Sequence, residues 1–342
     1  MKGLLKAGLS LLLMSGLFAV PAYAEPTVVT SEGKYVMGDL DSKKDAKALA
    51  LMEAKRLALE KTGTYLQSVS EVKDFQLTKD QVSSLAAGIM SVEVLKEDWR
   101  MSGENMMVTI LIRATVDTSH LKDHMASIRD DERNVEDYKN IQNQLATLQK
   151  ELSELKTQNA AQASGKGKEP AKQEAREKHE GIIKKMSALE SLEKGNAALA
   201  AGSWSDALSA FTQAIALDPQ AGDAYTGQAA ALQHMGKLNE ALDSIHIALK
   251  LRPGLARNHA VKAAILKDRE DYDQALASIN KAIDLNPERP RFFLLRSEIY
   301  GKLQRPNLAI RDLIRACKMG NKIACERLKK QNLKKRVRPE SN

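Results

Sequence analysis

The chain predicts three regimes in series: an α+β N-terminal domain, with a small antiparallel sheet and a covering helix; a coiled-coil connector; and an all-α solenoid of stacked helical hairpins. Three patterns support this order. Residues 106–117 alternate apolar and polar side chains with a period of two. Tyr138, Ile141, Leu145, Leu148, Leu152 and Leu155 step by 3, 4, 3, 4 and 3, the rhythm of a helical seam. In the C-terminal third, Ala207, Ala241, Ala275 and Ala309 recur every 34 residues, as do Ala214, Ala248, Ala282 and Ala316, and Pro219, Pro253 and Pro287. A fixed period of that length means supersecondary units stacked on one another, which points to a binding surface before it points to chemistry.

Residues 1–24 read as a secretory signal. Lys2 and Lys6 give a positive start, Leu11 to Val20 an apolar core, and Ala22-Tyr23-Ala24 a small-x-small cleavage site. The apolar run is too short for a membrane span. No cysteine lies near the cut, so a lipid-anchored mature end is not expected. The expectation is an exported, soluble chain that begins at Glu25.

Residues 25–121 form the α+β unit. Thr27 to Met37 is rich in Val and Thr and reads as a strand. Asp41 or Ser42 caps a long helix, with Asp45 three residues after Ser42. That helix places Ala46, Leu49, Ala50, Ala54, Leu57 and Ala58 on one side and is expected to stop at Gly63. Thr78 and Gln81 suggest a second capping box that opens a short helix through Ala87 to Gly88. Two strands follow, Ser91–Arg100 and Met106–Asp117, the second with Val108, Ile110, Ile112, Ala114 and Val116 on one face. A sheet covered on one side by the long helix satisfies this pattern. The run Ala54-Lys55-Arg56, then Gly63-Thr64-Tyr65, Leu77-Thr78-Lys79-Asp80, Ala87-Gly88 and Val108 to Val116 resembles the N-terminal domain of the flagellar assembly protein T and the related LPP20-type envelope domain. The resemblance implies the periplasm of a two-membrane bacterium and a structural role near the outer membrane. The flagellar protein lacks a repeat array, so flagellar function is not carried over.

Residues 122–159 hold the seam, with Glu and Lys between its apolar positions. It lasts barely three heptads, which is marginal alone. It either pairs two protomers or folds back on its own chain; the strict spacing favours a homodimer. Residues 160–173, with Gly165, Gly167 and Pro170, read as a flexible linker. A leading helix with Ile182, Ile183, Met186 and Leu189 then runs into the repeats, and the solenoid spans 174–330.

Each repeat reads as two amphipathic helices joined by a turn. The second helices are expected over Asp206–Leu217, Glu240–Leu251, Gln274–Leu285 and Leu308–Lys318. The alanines sit where helices cross closely, because larger side chains would push the axes apart, and each proline ends one hairpin. Gly195, Ala207, Phe211, Ala214 and Pro219 follow the G…A-x3-F-x2-A…P pattern, with Trp204, Leu238 and Tyr272 at one bulky site. On these residues the span from about 188 to 321 resembles the tetratricopeptide repeat. The fourth unit departs, with Pro306 at the bulky site and Asn321 for the closing proline, as a capping unit does.

In that family the first helices line a groove for an extended peptide or a partner helix. The resemblance places Asn196 and Leu199, then Asp223, Thr226 and Gln233, then Arg257, Ala264 and Lys267, then Arg291, Leu294 and Glu298 on this wall. The cationic set that clamps a C-terminal carboxylate in some relatives is mostly missing, since Leu192, Gly227 and Val261 stand where polar partners are wanted.

Cys317 and Cys325 are the only cysteines and flank a helix stop at Met319-Gly320-Asn321. Two antiparallel helices joined there either bring the sulfurs into a disulfide or bury two free thiols; an oxidising compartment favours the bridge. The net charge of +8 divides into +2 in the signal (Lys2, Lys6) and +6 from Arg327 to Asn342, with seven cations against Glu340, which leaves residues 25–326 balanced. The basic tail, 331–342, is suited to an anionic envelope surface or an acidic partner. Export and the lack of aromatic interleaving argue against nucleic acid. His120 and His124 could share a helix face, but no third ligand is evident, and no phosphate loop or nucleophile elbow occurs. No metal, cofactor or catalysis is expected. The sequence thus predicts an exported adaptor that binds a protein segment, with envelope-surface binding or a non-catalytic enzyme subunit as alternatives.

Overall fold

The computed structural model describes residues 27–72, 90–116, 132–163 and 169–337. The signal, the Thr78–Gly88 helix, His120 and His124, Gly165, Gly167 and the last five residues of the tail lie outside the described residues.

The N-terminal unit comprises strand β1 (Thr27–Val36), helix α1 (Lys43–Val72) and strands β2 (Met90–Ser102) and β3 (Asn105–Val116). The sheet has three strands in the order β1-β3-β2, antiparallel throughout, so the strand with the cleanest alternation is central. Val108, Ile110, Ile112 and Ala114 are fully buried against Ala46, Ala50, Ala54 and Ala58 of α1. A helix face of alanines can lie unusually close to a sheet. Gly33 permits this approach: a Cβ there would collide with the Ala50 carbonyl oxygen and the Ala54 amide and sit 2.9 Å from Ala54 Cβ. Ser31, two residues back on the same face, donates from Oγ to the Ala54 carbonyl.

The start of α1 is a capping box. The Asp45 amide donates to Ser42 Oγ at 3.1 Å, and the Ser42 amide donates to Asp45 Oδ2 at 3.1 Å. The helix does not stop at Gly63; it continues to Val72. A mid-helix glycine costs about 1 kcal/mol relative to alanine, too little to end a long helix without a breaker behind it.

Helices α2 (Glu132–Ala163) and α3 (Glu169–Ala200) pack on one another. The two ends of the expected linker belong to these helices. Residues 160–163 and 169–173 are helical, and Pro170 falls in the first turn of α3, where its missing N–H costs nothing. The middle of the seam, Ile141 to Leu152, packs on the chain's own residues. Ile141 is buried with Leu192, Ala207 and Phe211 of the solenoid, Leu152 is buried with Leu49, Ile183 and Met186, and Leu145 touches both groups. Periodicity defines an apolar stripe but not the surface that covers it.

The solenoid follows as α4 (Trp204–Leu217), α5 (Gly222–His234), α6 (Leu238–Leu251), α7 (Ala256–Asp268), α8 (Tyr272–Leu285), α9 (Pro290–Lys302), α10 (Pro306–Lys318) and α11 (Lys322–Val337). Trp204, Leu238, Tyr272 and Pro306 are the first residues of the second helices, which start two residues earlier than the sequence suggests. The alanine columns are buried throughout, from 0% exposed at Ala207 to 7% at Ala309. Within each hairpin the turn residue has positive φ: 75° at Gly202, 75° at Gly236, 68° at Glu270 and 57° at Gln304. The next amide bonds back to the fifth carbonyl before it, as in Ser203 to Ala198 and Asp271 to Leu266, each at 2.9 Å. This is a left-handed C-cap, repeated every 34 residues.

Phe211 is the wedge of the first repeat. Its ring lies so close to Gly195 and Gly227 that a Cβ at Gly195 would stand 2.6 Å from it. Gly227 is therefore packing space for Phe211 rather than a lost polar contact. At the far end Cys317 and Cys325 are joined by a disulfide, with their Cα atoms 4.8 Å apart. It ties α10 to α11, whose Ala324 is buried and whose amide at 324 is capped by Asn321 Oδ1 at 2.9 Å. Helix α11 runs on to Val337, so the start of the expected tail, 331–337, is helical.

Candidate binding groove of the helical array

The expected groove residues divide into three groups. Thr226 and Leu294 do not line a groove. Thr226 is fully buried and its Oγ1 bonds to Asn258 Oδ1 at 2.7 Å, a tie between α5 and α7; Asn258 Nδ2 in turn donates to the Ala248 carbonyl at 3.1 Å. Leu294 is packed in the central core at 9% exposure. Both face inward, since a 34-residue period fixes which residues are equivalent but not which side of the helix meets the core.

Asn196 and Leu199 are half-buried on α3, and Leu199 packs on the cluster around Leu192 and Phe211. Asp223 is neutralised by an ion pair with Arg252. Arg257 is half-buried and Arg291 exposed, each at the start of its helix.

Gln233, Lys267 and Glu298 do come together. Gln233 Nε2 donates to Asp268 Oδ2 at 2.7 Å. Lys267 Nζ lies 3.5 Å from Asp268 Oδ1 and 3.0 Å from Glu298 Oε2. The other oxygen of Glu298 accepts from Arg327 Nη1 of α11 at 2.7 Å. One polar chain therefore spans α5, α7, α9 and α11. Burial would lower the Lys267 ammonium, but the bond to Glu298, with the charges of Glu298 and Asp268, outweighs it and holds Lys267 above the ordinary lysine range. Lys267 thus stays charged at any physiological pH.

This chain borders an open pocket of about 520 Å³ lined by Lys267, Asp268, Glu270, Tyr272, Glu298, Gly301, Lys302 and Arg327. Asp268, Glu270, Tyr272, Gly301, Lys302 and Arg327 are the members that sequence reasoning does not place in the groove. One signal was present. Leu199, Gln233, Lys267 and Gly301 are 34-residue equivalents, and the step to glycine removes a side chain where the pocket opens; nothing lies within 4 Å of a Cβ built there.

Beside Gln233, the bulky Trp204 stacks on His234 with centroids 4.0 Å apart and planes 7° from parallel. Burial lowers the His234 pKa, opposed by the Asp268 charge, so its neutral ring is favoured against the indole. Among the described residues no cluster of His, Cys, Asp and Glu has the makings of a metal site, and no helix is long and apolar enough to cross a membrane.

Paired antiparallel helices, a left-handed cap in every hairpin and polar side chains gathered from the first helix of each pair define a helical-repeat interaction solenoid. Residues 192–256 and 262–320 match the tetratricopeptide repeat family, and the array is built of these repeats. Among solved structures, the chain is similar to MamA (41-end) from Desulfovibrio magneticus RS-1, at 17% identity over 42% of this chain and 84% of that one, with a TM-score of 0.35. It is similar also to a thermophilic TPR protein of Thermus thermophilus, at 18% identity over 55% and 96%, with a TM-score of 0.40. The first TPR domain of human RPAP3 is 20% identical over 35% and 95%, with a TM-score of 0.34. No curated protein sequence matches the chain.

Proposed function

We propose that the protein is a non-catalytic scaffold whose repeat array holds a segment of another polypeptide, with the Lys267 pocket as the anchor point. The polar chain Gln233–Asp268–Lys267–Glu298–Arg327 supports this reading best. It presents preorganised donors and acceptors of both signs beside an open pocket, which suits an extended peptide with mixed charge rather than an apolar small molecule. The test is a photocrosslinking amino acid at Lys302, on the pocket rim, in living cells. The expected result is a defined adduct that disappears when Lys267→Glu is added; an adduct of unchanged yield would overturn the pocket assignment.

The scaffold works outside the cytoplasm in this reading, exported by residues 1–24, cleaved after Ala24 and not lipid-anchored. The N-terminal unit then serves as an envelope-assembly domain akin to that of the flagellar assembly protein T. The signal pattern and the N-terminal resemblance support the compartment. Mass spectrometry of the mature protein is expected to find Glu25 at its start; a cytoplasmic chain beginning at Met1 would refute export.

A further inference from the structure

Residues 305–342 carry twelve cations and three carboxylates, a net of +9 against +8 for the whole chain. Two of those three carboxylates are in the described helices, and Asp312 is buried against Arg296. Around this excess the surface is organised. On α10, Arg311, Ile314, Arg315 and Lys318 are exposed and fall at i, i+3, i+4 and i+7, a single face. On α11, Ile323 and Lys330 are both exposed and stand seven apart, with Lys329 beside them. Ile314 and Ile323 are 42% and 54% exposed. Among the described residues no ion pair engages Arg311, Lys318, Lys329 or Lys330. The disulfide and the Asn321 cap hold the two helices together.

We infer that the α10–α11 end of the solenoid is a docking surface for an anionic lipid leaflet. Cations interspersed with bare aliphatic side chains match the interface between lipid head groups and acyl chains, where lysine and arginine meet phosphate while isoleucine enters the apolar layer. Nucleic acid fits less well. Residues 306–342 contain no aromatic side chain on which a base could stack, and exposed isoleucines gain nothing against a phosphate backbone. The surface lies at the C-terminal end of the array, and of the residues in α10 and α11 only Arg327 lines the pocket. A membrane-docked molecule would keep the groove open to a partner.

The test uses the full mature chain and vesicles of phosphatidylcholine with and without phosphatidylglycerol. Sedimentation is expected to show salt-sensitive binding to the anionic vesicles only. Each basic residue lost should weaken binding roughly fivefold, so the quadruple variant Arg311→Glu, Lys318→Glu, Lys329→Glu, Lys330→Glu should lose a hundredfold or more while melting like the parent. Ile314→Ser with Ile323→Ser should weaken binding by a smaller factor and leave its salt dependence intact. A chain ended after Lys330 should still prefer anionic vesicles, which separates this surface from the terminal tail. Equal binding to neutral vesicles, an unaffected quadruple variant, or tighter binding to duplex DNA or to an acidic polypeptide at the same salt would each overturn the inference.

Discussion

Arg296 grips Asp312 through both carboxylate oxygens, Nε to Oδ2 at 2.7 Å and Nη2 to Oδ1 at 2.9 Å, while its Nη1 donates to Asn280 Oδ1 at 2.8 Å. The fork joins α8, α9 and α10. Two repeats earlier the equivalent positions hold Thr212, Gln228 and Ser244, where Gln228 Nε2 donates to Thr212 Oγ1 at 3.2 Å and Gln228 Oε1 accepts from Ser244 Oγ at 2.9 Å. The same three-helix tie is neutral at one end of the array and ionic at the other.

Asp312 is buried, so removing its partner strands a charge. Arg296→Met is expected to cost about 3 kcal/mol of stability in urea unfolding, and adding Asp312→Leu should restore most of it. A single variant with unchanged stability would mean that the fork contributes nothing beyond packing.

Glu193 gives the fold a pH dependence. Its Oε1 is buried without a hydrogen-bond partner, and its Oε2 accepts only a long bond from Gln142 at 3.4 Å. Burial raises its pKa to about 7, with the Glu190 charge adding and Lys55 opposing. A raised folded-state pKa means that the folded chain holds the proton more tightly than the unfolded one. The stabilisation is complete below the ordinary value near 4.5 and is lost as pH rises through about 7, on the order of 3 kcal/mol in all. Glu193→Gln should therefore gain stability over the parent as pH rises from acid to neutral. Thermal melts at matched ionic strength would show the two curves diverging from about pH 4.5 and running parallel above about pH 7.

Gln304 adopts a left-handed conformation where the first two repeats use glycine, at φ of 57°. Gln304→Gly should stabilise the array by about 1 kcal/mol, and Gly236→Ala should destabilise it by a similar amount. Denaturant midpoints with equal slopes would check both.

Gly33 decides how closely the long helix lies on the sheet. Gly33→Ala would force α1 off β1 and is expected to cost about 2 kcal/mol or more, as overpacking does. Hydrogen exchange should rise first along Ala46 to Ala58. The same substitution at Gly103, where φ is 64° but no atom lies within 4 Å of a Cβ, should cost only the backbone strain.

Much of this fold is legible in the sequence, and for a physical reason. Every Ala207 equivalent faces the same crossing of helices, so the repeat shows as a column. Val108 to Ala114 alternate because β3 is central and covered on one face only. The Ser42–Asp45 box is local chemistry and needs no tertiary context. What escapes notice depends on the partner surface. The Tyr138–Leu155 stripe shows that something covers it, but not that Leu192 and Ile183 do. Thr226 and Leu294 share the groove period yet turn inward, and Gly33 and Gly227 gain their meaning only from Ala54 and Phe211 opposite. The pocket brings in Arg327 from α11, outside the 34-residue pattern, so no column announces it.

The α2–α3 pair serves two hydrophobic cores at once. Near one end Leu152, Ile183 and Met186 close over Leu49 of the N-terminal unit, where the buried Asp41 carboxylate lies 3.1 Å from Lys156 and 2.8 Å from His179. Near the other end Ile141 and Leu192 seal the first repeat. The two halves are thus spliced rather than strung together. Excising either would strip an apolar flank from the other, and a heating scan should record one shared melting event instead of two.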